Sequence, residues 1–209
     1  MVTLKNEVAD MAQIAQNGFL QAWKAFQTGS VKQAKEVIIR DEKLNVLAAR
    51  IFKMGLSLIA RQAPVAKDLR TIGAYLKVVT DLERIGDLSG DIASVVVRLE
   101  GGPQRVPLFE IPDMAASVQE ILALSVRALK MGDTRQLRSL DDMDDVIDAY
   151  YSRCFVYLER SMESESGYVQ EGVQLFKVIQ ALERIGDHAT NIGEWTLYMS
   201  TGNIADLNT

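Results

Sequence analysis

At 209 residues, 48% hydrophobic and 24% charged, the chain is long enough for one large domain or two small ones and apolar enough to bury a core, which excludes global disorder. A net charge of −5 with no long basic run argues against sequence-independent nucleic-acid binding, so no nucleic-acid partner is expected. One cysteine, Cys154, cannot close an internal disulfide and is expected as a buried thiol in a reducing compartment.

Taken in order, the chain reads as helices throughout. From Leu4 to about Gln27, the residues Leu4, Val8, Met11, Ile14, Ala15, Phe19, Ala22 and Phe26 recur at steps of three and four, the mark of an amphipathic helix. Thr28-Gly29-Ser30 stops it, with Ser30 placed to cap the next helix. That second helix runs to about Gln62, because the residue before Pro64 is pushed out of the helical region. Pro64 suits a first helical position, Asp68 complements the dipole, and a third helix continues to about Glu100. Gly101 to Pro112, with three prolines, reads as a linker between a first unit (1–100) and a second (113–209). The plan then repeats: a helix from about Asp113 to Met131, another from Thr134 to Met162, a turn around Glu165-Ser166-Gly167, and a last helix from Tyr168 to about Ser200. No strand pattern competes. The N-terminus, Met1-Val2-Thr3-Leu4-Lys5, shows no secretory signal, and no window reaches about 18 uncharged apolar residues. No membrane span and a cytoplasmic location are expected.

The chain writes one stretch twice. Leu82-Glu83-Arg84-Ile85-Gly86-Asp87 recurs as Leu182-Glu183-Arg184-Ile185-Gly186-Asp187, at an offset of 100 residues. The match extends through Lys77/Lys177 and Val78/Val178 upstream and Ile92/Ile192 downstream, so this is a tandem duplication. The fold class expected is all-α, two pseudo-symmetric three-helix bundles.

The duplicated stretch carries acids. Glu83, Asp87 and Asp91 step by four and project from one side of the third helix; the repeat has Glu183, Asp187 and Asn191. Their partners follow from hairpin arithmetic. Asp41 and Asn45 lie 23 and 19 residues before Pro64, and Glu83 and Asp87 lie 19 and 23 after it, so in an antiparallel hairpin the two pairs come level. In the second unit Asp144 and Asp148 come level with Glu183 and Asp187 about a centre between Glu165 and Ser166. Packed helices stand about 8–10 Å apart, a gap that carboxylates bridge only through something between them. Four carboxylates at one level repel, and a cation relieves that repulsion. Oxygen-only ligands suit Mg²⁺, Ca²⁺, Mn²⁺ or iron.

Blander readings compete. Acids at this spacing usually make a solvated helix face. Arg84 and Arg184 are candidates to neutralise them, although neighbours at i, i+1 do not face each other on a helix. Gly86 and Gly186 cost about 1 kcal/mol each inside a helix, and either close approach beside the acids or plain helix packing accounts for them. His188 projects away from Glu183 and reads as structural, and Trp23 and Trp195 as core or interface anchors.

Asp41-x-x-x-Asn45, Pro64-Val-Ala-x-Asp68-Leu-Arg70, both Leu-Glu-Arg-Ile-Gly-Asp copies and Asp144-x-x-x-Asp148-x-x-Tyr151 together resemble the PhoU family, regulators of bacterial phosphate uptake and signalling. The likeness spans essentially the whole chain. It implies two three-helix bundles whose acidic motifs bind iron- or zinc-type ions; with the ions the residues themselves suit, the expected cofactor is iron, zinc, manganese or magnesium. The metal ligands would be Asp41, Glu83, Asp87 and Asp91 in the first unit and Asp144, Asp148, Glu183 and Asp187 in the second. Asn45 stands where the strict motif has an acid, and Asn191 stands opposite Asp91. The resemblance also implies a cytoplasmic, often dimeric protein that links the phosphate ABC transporter, through its ATPase component, to a membrane sensor histidine kinase and represses the phosphate-starvation response. A non-enzymatic adaptor is therefore expected first. A carboxylate-based metalloenzyme of the phosphohydrolase kind comes second, since Glu-x-x-His pairs are missing and His188 is the single histidine. A purely structural helical module comes third.

Overall fold

The computed structural model describes residues 1–103 and 105–203, with the backbone alone at Asp41. Six long helices account for nearly all of it: α1 (Val2–Thr28), α2 (Val31–Gln62), α3 (Ala66–Arg98), α4 (Ile111–Met131), α5 (Leu140–Ser164) and α6 (Val169–Thr201). Helices α1–α3 form one bundle and α4–α6 a second. The third helices of the two bundles, α3 and α6, pack on each other more extensively than any other pair. No strand occurs among the described residues. The all-α, twice-three-helix architecture is thus the one read from the duplication.

The apolar periodicity becomes the core. Leu4, Val8, Met11, Ala12, Ala15, Phe19 and Ala22 of α1 are buried, as are Ile72, Val78, Val79, Leu82, Ile85 and Ile92 of α3. Each such large side chain contributes about 1.5–3 kcal/mol by leaving water. Helix α3 is covered on two sides because α1 and α2 take one and α6 takes the other. Cys154 is fully buried, which pushes its thiol up to about 11 and leaves it unreactive.

Helix ends mostly fall where turn chemistry puts them. Ser30 caps α2, its hydroxyl accepting from the Gln33 N–H at 3.4 Å. Gly29 closes α1 in the left-handed region (φ 63°), and a Cβ there would collide with the Gly101 carbonyl oxygen. Two expectations need correction. Pro64 is not the first residue of α3: Ala63 takes φ 40°, Val65 is extended, and the helix starts at Ala66. The second bundle's middle helix does not begin at Thr134. The Asp133 carboxylate accepts from the Arg135 N–H at 3.1 Å and from its guanidinium, locking a turn, and a single 3-10 turn (Leu137–Ser139) precedes α5. Between the bundles, the Glu171 carboxylate accepts from the Arg105 and Val106 N–H groups at 2.8 and 3.0 Å, tying the connection to the start of α6.

Candidate functional site

The second bundle gathers acids where α5 faces α6. Asp144 is buried to 8% exposure, and Ile147, one turn on, seats against Gly186: a Cβ on Gly186 would stand 3.0 Å from Ile147 Cδ1 and 3.6 Å from Asp144 Oδ1. Gly186 is therefore a close-approach glycine that lets α5 reach α6 beside the carboxylates. The Thr190 hydroxyl donates to Asp144 Oδ1 at 3.2 Å.

The fields at this level are repulsive. Burial first, then the charges of Asp187, Asp148 and Asp145, push the Asp144 carboxyl up to about 6, against the lowering effect of the Thr190 hydrogen bond. Burial first, then Asp187, Asp148 and Asp144, push Glu183 up to about 7, with Arg184 pulling the other way. Asp187 is raised by burial and by Asp148, while His188 and Arg184 lower it. Asp144, Asp148, Glu183 and Asp187 thus feel one another, the grouping that hairpin arithmetic anticipates. They lack a compensating charge among themselves. Among the described residues, no three His, Cys, Asp or Glu side chains close on one point as an ion's ligand shell. What the four acids share is a level and a repulsive field that Arg184 and His188 offset only in part, and their oxygen donors suit an oxygen-loving cation.

The first bundle differs. Glu83 is half-buried on α3, and Asp87 is paired with Arg84 at 3.4 Å one turn earlier. The i, i+1 argument against Arg84 holds for Glu83 but not for Asp87, which lies at i+3. The Asp41 side chain falls outside the described residues. Asp91 is exposed and lines a polar cleft between α3 and α6.

Three contacts across the seam escape the acid pattern altogether. His188 Nδ1 and Asp81 Oδ1 stand 3.0 Å apart across the seam between bundles, and both residues are largely buried. The first repeat has Leu88 where the second has His188, and the second has Ala181 where the first has Asp81. A polar residue standing where its repeat-mate is apolar was the available signal. Nearby, Lys77 lies over the Trp195 ring and Arg70 over Tyr198, each 5.9 Å from the ring centroid.

Comparison with known proteins adds the following. A family model described as the PhoU domain matches residues 8–96 and again 111–196. A protein of Clostridium acetobutylicum named phosphate-specific transport system accessory protein PhoU homolog is 33% identical over 206 residues, 98% of this chain and 94% of that one. A Synechocystis protein of the same name is 30% identical, over 95% of this chain and 88% of its own length. The crystal structure of PhoU from Pseudomonas aeruginosa superposes with a TM-score of 0.92 at 26% identity, covering 96% of this chain and 97% of that one.

Proposed function

Since the chain belongs to the PhoU family, we propose that it is a regulatory accessory protein of a phosphate transport system, acting by contact with other proteins. The observation that carries this reading is near-full-length identity to relatives bearing that name, 33% over 98% of the chain in the case above. Among the described residues no helix is long and apolar enough to cross a membrane, so any influence on a transporter passes through a docked surface. On this reading the paired bundles act as an adaptor between the transporter's ATPase component and a membrane sensor histidine kinase, in a cytoplasmic setting and as a homodimer.

We also propose a cation at the acids of α5 and α6. Asp144, Asp148, Glu183 and Asp187 would hold it, Asp187 and Glu183 from the duplicated stretch and the other two from the facing helix. Its chemistry there is charge neutralisation: a cation returns Asp144 and Glu183 to the ionised state and joins α5 to α6. Iron, zinc, manganese and magnesium are the candidates. In the first bundle Glu83, Asp87 and Asp41 are the corresponding residues.

Deletion in the source organism tests the regulatory reading. The phosphate-starvation genes should stay expressed in phosphate-rich medium. Normal repression in the deletion strain, in the absence of a second family member, would refute the assignment.

A further inference from the structure

The seam between α3 and α6 is antiparallel, so the duplication places the same positions at both of its ends. One end is filled. There Asp81 bonds His188, Trp195 covers Lys77, and Tyr198 lies beneath Arg70. The other end, built from Leu88 to Arg98 of α3 and Gln174 to Arg184 of α6, stays open as a cleft of about 390 Å³. The repeat register explains the difference. At the open end Leu88, Ser94, Val95 and Ala181 stand where the filled end has His188, Glu194, Trp195 and Asp81. Smaller or apolar side chains at these four positions leave room, and among the described residues they leave Lys177, the counterpart of Lys77, without a ring over it.

What lines the open end is cationic. Arg98, Lys177 and Arg184 come from both bundles, with Gln174, Gln180 and Ser94 as neutral hydrogen-bonding groups and Asp91 as the one carboxylate. In a chain of net charge −5, three cations around a single cleft is a local inversion of sign. Among the described residues, neither Arg98 nor Lys177 has an acid within ion-pair distance. Two guanidinium groups and an ammonium supply the planar and point donors that recognise a tetrahedral oxyanion. A lone carboxylate among them repels a fully deprotonated anion such as sulfate. It accepts a hydrogen bond from one that keeps a P–OH proton at neutral pH.

We propose that the open end of the α3–α6 seam binds hydrogen phosphate, with Arg98, Lys177 and Arg184 holding its oxygens and Asp91 accepting a hydrogen bond from its P–OH group. The occupant would join the two bundles where the opposite end is joined by Asp81 and His188. This rests on the phosphate-transport reading for its biological sense but not for its chemistry, and the two fail separately. The deletion phenotype can hold with an empty cleft, and the cleft can bind with the phenotype absent.

The test is calorimetric titration of the purified full chain, chelator-treated and in phosphate-free buffer, with inorganic phosphate and, at matched ionic strength, with sulfate. Phosphate should bind and sulfate should bind at least about tenfold more weakly, the value of one unmade charge-assisted hydrogen bond. Arg98→Ala and Lys177→Ala, both changing exposed heads, should each weaken phosphate by roughly ten- to a hundredfold. Asp91→Ala should erase the preference over sulfate. Lys77→Ala, the same change at the filled end, should leave phosphate binding as it is. No heat with phosphate at millimolar concentration, equal affinity for sulfate, or unchanged binding in both cation variants would each overturn the proposal.

Discussion

Replacing Asp144 by Asn isolates the cost of keeping a carboxylate at the crowded level between α5 and α6. The amide keeps the shape and keeps an oxygen for the Thr190 hydroxyl, yet removes the charge. The Asp144 carboxyl is pushed from 3.8 to about 6, by burial first and then by Asp187. A difference of about 2 units at about 1.4 kcal/mol each corresponds to about 3 kcal/mol as an upper bound. The sign follows from proton binding. The native state holds the proton more tightly than the unfolded chain, so wild-type stability from this group is fully present below about pH 4. It is lost as pH rises through about 6. The variant has no such loss. At pH 8, chelator-treated Asp144→Asn should therefore melt higher than wild type by several degrees, since 1 kcal/mol moves a chain of this size by about 2–4 °C. At pH 4 the difference should vanish. Thermal unfolding followed by circular dichroism across that range measures both. A variant less stable than wild type at pH 8, or an offset independent of pH, would refute the reasoning. The first result would mean that the Asp144 carboxylate already has a counter-charge.

Adding a cation should reverse the ranking, because a ligand bound only to the native state adds about 2.7 kcal/mol at a hundredfold excess over Kd. Wild type should melt higher with the right ion among Mg²⁺, Mn²⁺, Zn²⁺ and iron and lower after chelation, and a flat response to all four would favour the solvated-acid reading. Removing Glu183 and Asp187 together should abolish metal in the second bundle, by elemental analysis, while the far-ultraviolet spectrum stays helical; unchanged metal content would remove these residues from the site. Gly29→Ala should cost more than about 1 kcal/mol in denaturant unfolding, since it forces a Cβ onto φ 63° and into the Gly101 carbonyl oxygen, and a neutral result would show that this close approach relaxes freely.

What could be read in the sequence was whatever is local or duplicated. Helix type and order followed from the apolar steps, Ser30 declared itself as a cap, and the acids of the second bundle were brought level by counting from a turn. The errors lie where a turn has chemistry of its own. Pro64 was expected to open α3, which starts two residues later at Ala66, because the reversal runs through Ala63 at φ 40°, which no propensity announces. The start of α5 was misplaced because Asp133 and Arg135 hold a turn that apolar periodicity does not register. The contacts across the seam were not legible at all. Periodicity shows that α3 has two apolar sides but not that the second meets α6 antiparallel, so Asp81 and His188, 107 residues apart, could not be paired. Asp91 shows the same limit: eight residues of helical drift carry it from the side of Glu83 round to the cleft.

Duplication gives two copies of each device, and in both cases the copies have parted. Arg84 is committed to Asp87 in the first bundle, whereas no such ion pair ties Arg184 to Asp187 among the described residues. Arg184 instead stands in two fields. It lines the open end of the seam, and its charge lowers both Glu183 and Asp187. A group that neutralises an anion in the cleft has less field left for carboxylates on its own helix, while a cation among those carboxylates leaves Arg184 to the anion. The two proposed sites are therefore coupled through one side chain, with each ligand strengthening the other. The magnitude is testable as a reciprocal shift: phosphate affinity should rise when the acids are metal-loaded, and metal affinity should rise by the same factor when phosphate is present. Arg184→Gln should break that reciprocity. Equal phosphate affinities in metal-loaded and metal-free wild type would show that Arg184 serves one site alone.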